Sequence, residues 1–338
     1  MSRSLFCIRW YNTLKDQRNR MEKTKLYIVV PCYNEEECLP DSAEQLLAKL
    51  KELADQGRID PAQSRLVFVD DGSRDHTGQI IRDLHAAHPE ITGIHFTANF
   101  GHQYAVLAGY HFAKGKCDAC VSIDADLQQD INAIDLFLDE FEKGSDIVYG
   151  VRNSRNTDGF FKKATSQIFY GLMKLMGTTI IPNHADYRLL SDKALTMLGE
   201  YGEGSVFLRG LIPTLGLPSS VVYFDVKERT AGESKYTLSK MLKLAVTGIT
   251  SFSIAPIHFV FFAGVLILFI SLIVMIVTFV EWLQGKNVSG YTTIVLSIWA
   301  LGAIQLIAIG IVGEYIGKNY IETKKRPRYI IKDIEHHD

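Results

Sequence analysis

The stretch Val121-Ser122-Ile123-Asp124-Ala125-Asp126-Leu127-Gln128 decides how the chain is read. A short apolar run ends in two carboxylates one residue apart, the pattern of a buried strand with an acidic C-terminal edge. In open α/β sheets, ligands bind outside the carboxyl ends of the strands. Two Asp side chains this close repel each other unless a cation sits between them. Hard divalent ions such as Mg²⁺ or Mn²⁺ take carboxylates together with ligand phosphate oxygens. Asp124 and Asp126 therefore point to a metal–diphosphate site; a solvated turn carrying two acids is the plainer alternative.

Working outward, the same design recurs. Leu26 to Pro31 reads as a buried strand followed by Cys32-Tyr33-Asn34-Glu35-Glu36, and a helix is predicted from Cys38 to Gln56. Arg65 to Val69 reads as a second strand running into Asp70-Asp71-Gly72-Ser73, with a helix opening at Asp75-His76-Thr77. Ile91 to Phe96 is a third, followed by Asn99-Phe100-Gly101-His102 and a helix through Ala113. A helix from Ile134 to Phe141 and a strand from Asp146 to Arg152 follow, then a polar segment over 155–163 and a helix over 167–176. Asp186 and Arg188 stand two residues apart ahead of another helix, and a further apolar run spans Val221 to Val226. Strands alternating with helices predict an α/β fold with a mostly parallel, doubly wound sheet.

Composition sets the wider frame. The chain has 338 residues and a net charge of −2, which gives no sign of a nucleic-acid partner. Its five cysteines (Cys7, Cys32, Cys38, Cys117 and Cys120) form no disulfide framework, and Cys117 and Cys120 lack a second pair for zinc. Residues 1–24 are basic and lack the apolar core of a signal peptide; Met21 is an alternative start.

Beyond residue 255 the character changes. Phe259 to Val280 and Asn287 to Gly313 contain no charged residue, and each is long enough to span a bilayer at ~20 residues per crossing. Ahead of them Lys235, Lys240 and Lys243 accompany helical apolar spacing, as in an amphipathic interfacial helix; a soluble helix against the core is the alternative. Lys318, Lys324, Lys325, Arg326 and Arg328 follow the second span, so both ends are predicted cytoplasmic. The expected divisions are a basic extension over 1–24, a catalytic domain over 25–234, a juxtamembrane segment over 235–256, a membrane hairpin over 257–314 and a basic tail over 315–338.

Four motifs occur in order: Val30-Pro31-Cys32-Tyr33-Asn34-Glu35-Glu36, Val69 to Ser73, Asp124 to Gln128, and Arg229-Thr230-Ala231-Gly232-Glu233-Ser234-Lys235. Together they resemble the inverting GT-A glycosyltransferases of family two, and within them the polyprenyl-phosphate group of bactoprenol glucosyltransferases and dolichol-phosphate mannose synthases. The resemblance covers about residues 25–330 and departs at Gln129-Asp130, where such chains often carry proline.

The resemblance implies a GT-A cytoplasmic domain whose donor nucleotide lies near Pro31, Tyr33, Asn34, Glu36, Asp70, Asp71 and Asp124. Asp124 and Asp126 would hold Mg²⁺ or Mn²⁺, Asp186 and Arg188 would be catalytic, and Arg229, Ser234 and Lys235 would hold the acceptor phosphate. The implied partners are a nucleotide sugar, UDP-glucose in the first instance, and a polyprenyl phosphate lipid in the membrane. N-acetylglucosamine, mannose and aminoarabinose donors remain alternatives, as do a processive polysaccharide synthase and a nucleotide-sugar-binding scaffold. An Asp186–Arg188 structural ion pair is the plainer reading of that motif. Gly302, Gly310 and Gly313 permit close helix approach, hence a homo-oligomer through the spans.

Overall fold

A computed structural model describes residues 23–153, 184–202, 207–225 and 290–337, with scattered positions between 257 and 284. The elements in chain order are β1 (Leu26–Cys32), α1 (Leu39–Asp55), β2 (Arg65–Asp70), α2 (Thr77–Ala87), β3 (Ile91–Phe96), α3 (His102–Ala113), β4 (Ala119–Ser122), α4 (Ala133–Glu142) and β5 (Ile147–Arg152). They continue with β6 (His184–Ser191), α5 (Asp192–Gly199), α6 (Leu208–Leu211), β7 (Ser219–Phe224), α7 (Tyr291–Thr323) and β8 (Ile331–Glu335). The predicted segments over 155–163, 167–176 and 236–255 fall outside the described residues, as do Arg229, Ser234 and Lys235. The chain divides into two compact units, the first holding β1 to β7 and β8, the second holding α7.

The eight strands form one sheet in the order β7-β5-β6-β4-β1-β2-β3-β8. β1 is buried at every position, as a parallel strand covered on both faces must be. Its alternate residues divide between two cores. Leu26, Ile28, Val30 and Cys32 join α1's Leu39, Ala43, Leu46, Leu50 and Leu53, whose spacing is one helical face. Tyr27 and Val29 join α3's Ala105, Val106 and Tyr110 on the other side. The approach of α3 is close enough that a Cβ on Gly109 would sit 2.2 Å from Val29 Cγ1.

The sheet is less uniformly parallel than the β-α alternation implies. β1 pairs in parallel with β2 and β4, β2 with β3, and β5 with β7. β6, however, runs antiparallel between β4 and β5. The Asp186-x-Arg188 segment, which reads from sequence only as the approach to a helix, is therefore an interior strand. Ser191 ends it and caps α5 by accepting the Ala194 amide at 3.1 Å.

The basic tail is also structured. α7 continues to Thr323, and Ile331–Glu335 pairs antiparallel with β3. Tyr329 stacks on Phe96 with centroids 5.0 Å apart, and its hydroxyl lies 2.7 Å from His111 Nδ1. Among the described residues no helix is long and apolar enough to cross a membrane. Several side chains in the first half of α7 are themselves outside the described set.

Candidate active site

The C-terminal ends of β1, β2 and β4 share one sheet edge, and antiparallel β6 starts there. That topology brings Asn34, the Asp70–Ser73 turn, the Asp124–Gln128 loop and Asp186 to a common rim. Two of the three described non-glycine residues with positive φ, Asn34 at 55° and Leu127 at 44°, lie in these loops. Asn tolerates this region, whereas Leu carries a cost of about 1–2 kcal/mol. Leu127 is a buried side chain between Asp126 and Gln128, so core packing holds the acidic loop in its strained shape.

Asp124 Oδ1 lies 3.0 Å from His102 Nε2, and Gln129 Nε2 donates to Asp124 Oδ2. Burial pushes Asp124 up, but the His102 contact outweighs it and holds the carboxyl below its usual range. His102 mirrors this: burial lowers it, the Asp124 partner raises it, and the net displacement is upward. Asp126 is exposed and accepts the Gln128 amide. The loop between the two acids is pinned from α1, where Ser42 Oγ donates to the Ala125 carbonyl at 2.6 Å. Glu35 is raised chiefly by burial and further by the fields of Asp126 and Asp124, against the Cys38 contact that lowers it. Cys38, 3.1 Å from Glu35 Oε2, is pushed up to about 12 by burial and by that carboxylate, so it stays a thiol.

Asp186 is the hub of the site. Arg209 reaches it twice, Nε to Oδ1 at 3.2 Å and Nη2 to Oδ2 at 2.9 Å, while Arg188 donates to Oδ1 and Gln103 donates to Oδ2 at 3.3 Å. Burial alone would raise its pKa; Arg188 and Arg209 reverse that and hold it well below the carboxylate range. A carboxylate so strongly acidic is a poor proton acceptor. Its backbone is fixed too: Tyr110 donates to Ser122 Oγ at 2.8 Å, and Ser122 donates to the Asp186 carbonyl at 2.7 Å. Consecutive residues at the start of α3, His102 and Gln103, thus hold Asp124 and Asp186 respectively, near a helix end that favours negative charge.

Arg188 is fully buried, and among the described residues its Nε and Nη1 meet no hydrogen-bond partner. It acts as the internal partner of Asp186, and its side chain offers no surface to a phosphate outside. The half-exposed cation at this carboxylate is Arg209, which sequence reasoning missed. It belongs to no motif and lies 23 residues from Asp186 in the chain.

The expected donor residues divide into surface and scaffold. Tyr33 and Asn34 are exposed on the rim; Pro31 is buried in β1. Asn34 Oδ1 accepts the Arg74 amide at 2.9 Å, and the Asn34 amide donates to Ser73 Oγ at 3.0 Å, so the β1 and β2 loops are stitched together. Glu36 accepts the His76 amide at 2.9 Å, which lowers its pKa, and its Oε2 lies 2.8 Å from His76 Nδ1. Asp71 is buried and accepts the Phe100 and Gly101 amides at 2.7 and 2.8 Å, securing the entry to α3. Asp70 Oδ1 accepts the Ser73 amide at 2.9 Å.

The sequence that builds this rim matches a family model. Residues 27–212 match the model described as glycosyl transferase family 2. The chain belongs to that family. Among its relatives, uncharacterized glycosyltransferase YkoT of Bacillus subtilis is 46% identical over 310 residues, 92% of this chain and 91% of its own. Bactoprenol glucosyl transferase of Shigella phage SfV is 37% identical over 311 residues, 91% of this chain and 98% of its own. Among solved structures, S. aureus TarS residues 1–349 with UDP-GlcNAc shows 20% identity and a TM-score of 0.42 over 67% of this chain and 66% of that one. The protein is therefore, by that model and those relatives, a family-two glycosyltransferase, and Asp124, Asp126 and Asp186 lie on the rim at the strand ends of its sheet.

Proposed function

We propose that this glycosyltransferase moves a sugar, glucose from UDP-glucose in the first instance, onto polyprenyl phosphate at the cytoplasmic face of a membrane, inverting the anomeric carbon. The observation that carries the reading is the placement of Asp186 and the Asp124–Asp126 loop on one rim, joined through adjacent residues of α3. Its similarity to proteins named bactoprenol glucosyl transferase supports the acceptor.

The acidic loop fits a divalent ion in kind. Asp124 and Asp126 offer hard oxygens, one half-buried and one exposed. Among the described residues no cluster of three metal-binding side chains exists. The remaining ligands would thus be donor phosphate and water, the arrangement Mg²⁺ favours. Bound there, Mg²⁺ or Mn²⁺ would offset charge on the departing nucleoside diphosphate.

The protein's own groups do the rest. A phosphate monoester with a second pKa near about 6 is largely ionised in the cytosol and needs no base to deprotonate it. Asp186, held strongly acidic, suits orientation and stabilisation of positive charge developing on the sugar better than proton abstraction. Arg209, half-exposed at Asp186, would meet an anionic acceptor group there. Arg229, Ser234 and Lys235 would complete the acceptor-phosphate clamp.

Two membrane spans, over Phe259–Val280 and within α7, are part of the proposal. α7 has 33 residues, about 50 Å at 1.5 Å per residue. Ile298, Leu306, Ile307 and Ile309 are each more than 60% exposed along it, apolar surface that a bilayer would cover. Phe262 and Phe269 are similarly exposed in the first stretch. An acceptor whose tail stays in the bilayer requires a site held at headgroup level.

The test is transfer from a panel of radiolabelled nucleotide sugars to undecaprenyl phosphate by the full-length protein with Mn²⁺ or Mg²⁺ and a chelator control. Labelled lipid from one donor, abolished by chelator, is the expected result. Absence of labelled lipid from every donor would overturn the acceptor assignment.

A further inference from the structure

Away from the rim, a buried charged row crosses three strands. His95 of β3 is 2% exposed, and both its ring nitrogens face carboxylates. Nδ1 lies 3.2 Å from Asp70 Oδ2, and Nε2 lies 3.0 Å from Glu335 Oε2 on β8. A neutral imidazole has one N–H and can donate to only one of them; donating to both requires the imidazolium. Glu335 is held from its other side by Arg82 Nε at 3.1 Å, and Arg82 also reaches Asp333 of β8 at 3.3 Å.

The packing leaves room for this row and for little else. A Cβ on Gly93 would lie 2.6 Å from Glu335 Oε2, and one on Gly78 would lie 2.9 Å from Asp70 Oδ2. At its far end the row reaches the rim. Asp70 Oδ1 accepts the Ser73 amide, Ser73 Oγ accepts the Asn34 amide, and Asn34 Oδ1 accepts the Arg74 amide. Gly72, at φ 66°, passes so close to Ala98 that any side chain there would clash at 2.3 Å. The turn therefore has one position, fixed from below by Asp70.

We infer that the C-terminal strand is part of the donor site: Glu335, acting through His95 and Asp70, positions the Gly72–Ser73 turn and the Asn34 loop that receive the nucleotide. This rests on the donor reading of those loops given above. Glu335, His95 and Asp70 are positioning residues: Glu335 and His95 lie behind the rim, and the Asp70 carboxylate is taken up by His95 and by the Ser73 amide of the turn it holds. The groups facing His95 are Asp70 from β2 and Glu335 from β8, with Arg82 of α2 opposing its charge through Glu335 and Asp333 neutralising Arg82 in turn. Consistent with this, burial lowers the His95 pKa but the two carboxylates outweigh it and raise it.

Glu335→Gln in the full-length enzyme keeps the shape and an acceptor oxygen but removes the charge. The expected result is a donor KM raised about tenfold with kcat changed less than about twofold, the signature of lost uniform binding. Donor KM of the wild type should rise as His95 loses its proton, and in the variant that rise should come at lower pH. Hydrogen exchange over residues 33–36 and 70–75 should quicken in the variant without added nucleotide. Wild-type KM, pH profile and exchange in Glu335→Gln would overturn the inference, as would faster exchange with an unchanged KM. Failure of the functional reading shows separately, as no transfer by the wild type from any donor, and would remove the donor role of the strand with it.

Discussion

Arg209 grips Asp186 with two nitrogens on two oxygens, at 3.2 and 2.9 Å, from a four-residue helix 23 positions further along the chain. Such a fork fixes the plane of the carboxylate as well as its charge. Arg188, beneath it, fixes the same group from inside the sheet. One carboxylate thus serves both a buried cation and a half-exposed one, and the two sides answer differently to mutation.

Arg209→Ala removes only the outer partner. Its side chain is 39% exposed, so the stability change is expected within about 1 kcal/mol. Transfer should fall by up to about 100-fold, because the carboxylate loses its orientation. Asp186→Ala strands the buried Arg188 charge and should cost about 3–5 kcal/mol in addition to activity. Thermal unfolding beside the transfer assay distinguishes the two; equal destabilisation would contradict this division.

Asp126→Ala tests the acidic loop. Asp126 is exposed, so folding stability should change by no more than about 0.5 kcal/mol. Transfer should drop by at least about 100-fold, and added Mn²⁺ should rescue it little. Near-normal activity would sink the metal assignment.

The row through His95 makes stability depend on pH. Its folded pKa is raised, so its contribution is complete below the unfolded value of about 6.5 and fades as pH climbs through the folded value. The stability gap between wild type and His95→Gln should therefore be widest near pH 6 and narrow on the alkaline side. Denaturant unfolding across that range would reveal it, and a gap that widened with pH would refute the imidazolium.

Gly109→Ala is expected to destabilise by about 1–3 kcal/mol, although alanine is the better helix former. The added methyl would press on Val29 at 2.2 Å, inside a core that cannot yield. Melting temperature is the readout, and a stabilised variant would mean that α3 can shift away from β1.

The β-α units could be read from the sequence because their strands are short apolar runs that lead into polar turns, and β3 and α3 end where the pattern places them. Two strands could not. β6 carries Asp186 and Arg188 within its apolar run, yet their two-residue spacing does put both on one strand face, a cue in plain view. β8 reads Ile331-Lys332-Asp333-Ile334-Glu335, an edge strand whose charges disguise it. Asp124, Asp126 and Asp186 were legible as motif residues, but Arg209 and Gln103 were not. Their roles come from which strand lies beside which, and no local pattern encodes that.

The antiparallel strand at the sheet's far edge also sets a schedule for synthesis. His95 meets Glu335 across 240 positions of sequence, so β3 is made long before the partner that covers its flank. While the ribosome works through the intervening residues, that flank offers unpaired amides and carbonyls to any other extended chain. A premature stop before Ile331 would leave the nascent protein permanently in that adhesive condition, with the Asp70 turn unsupported as well.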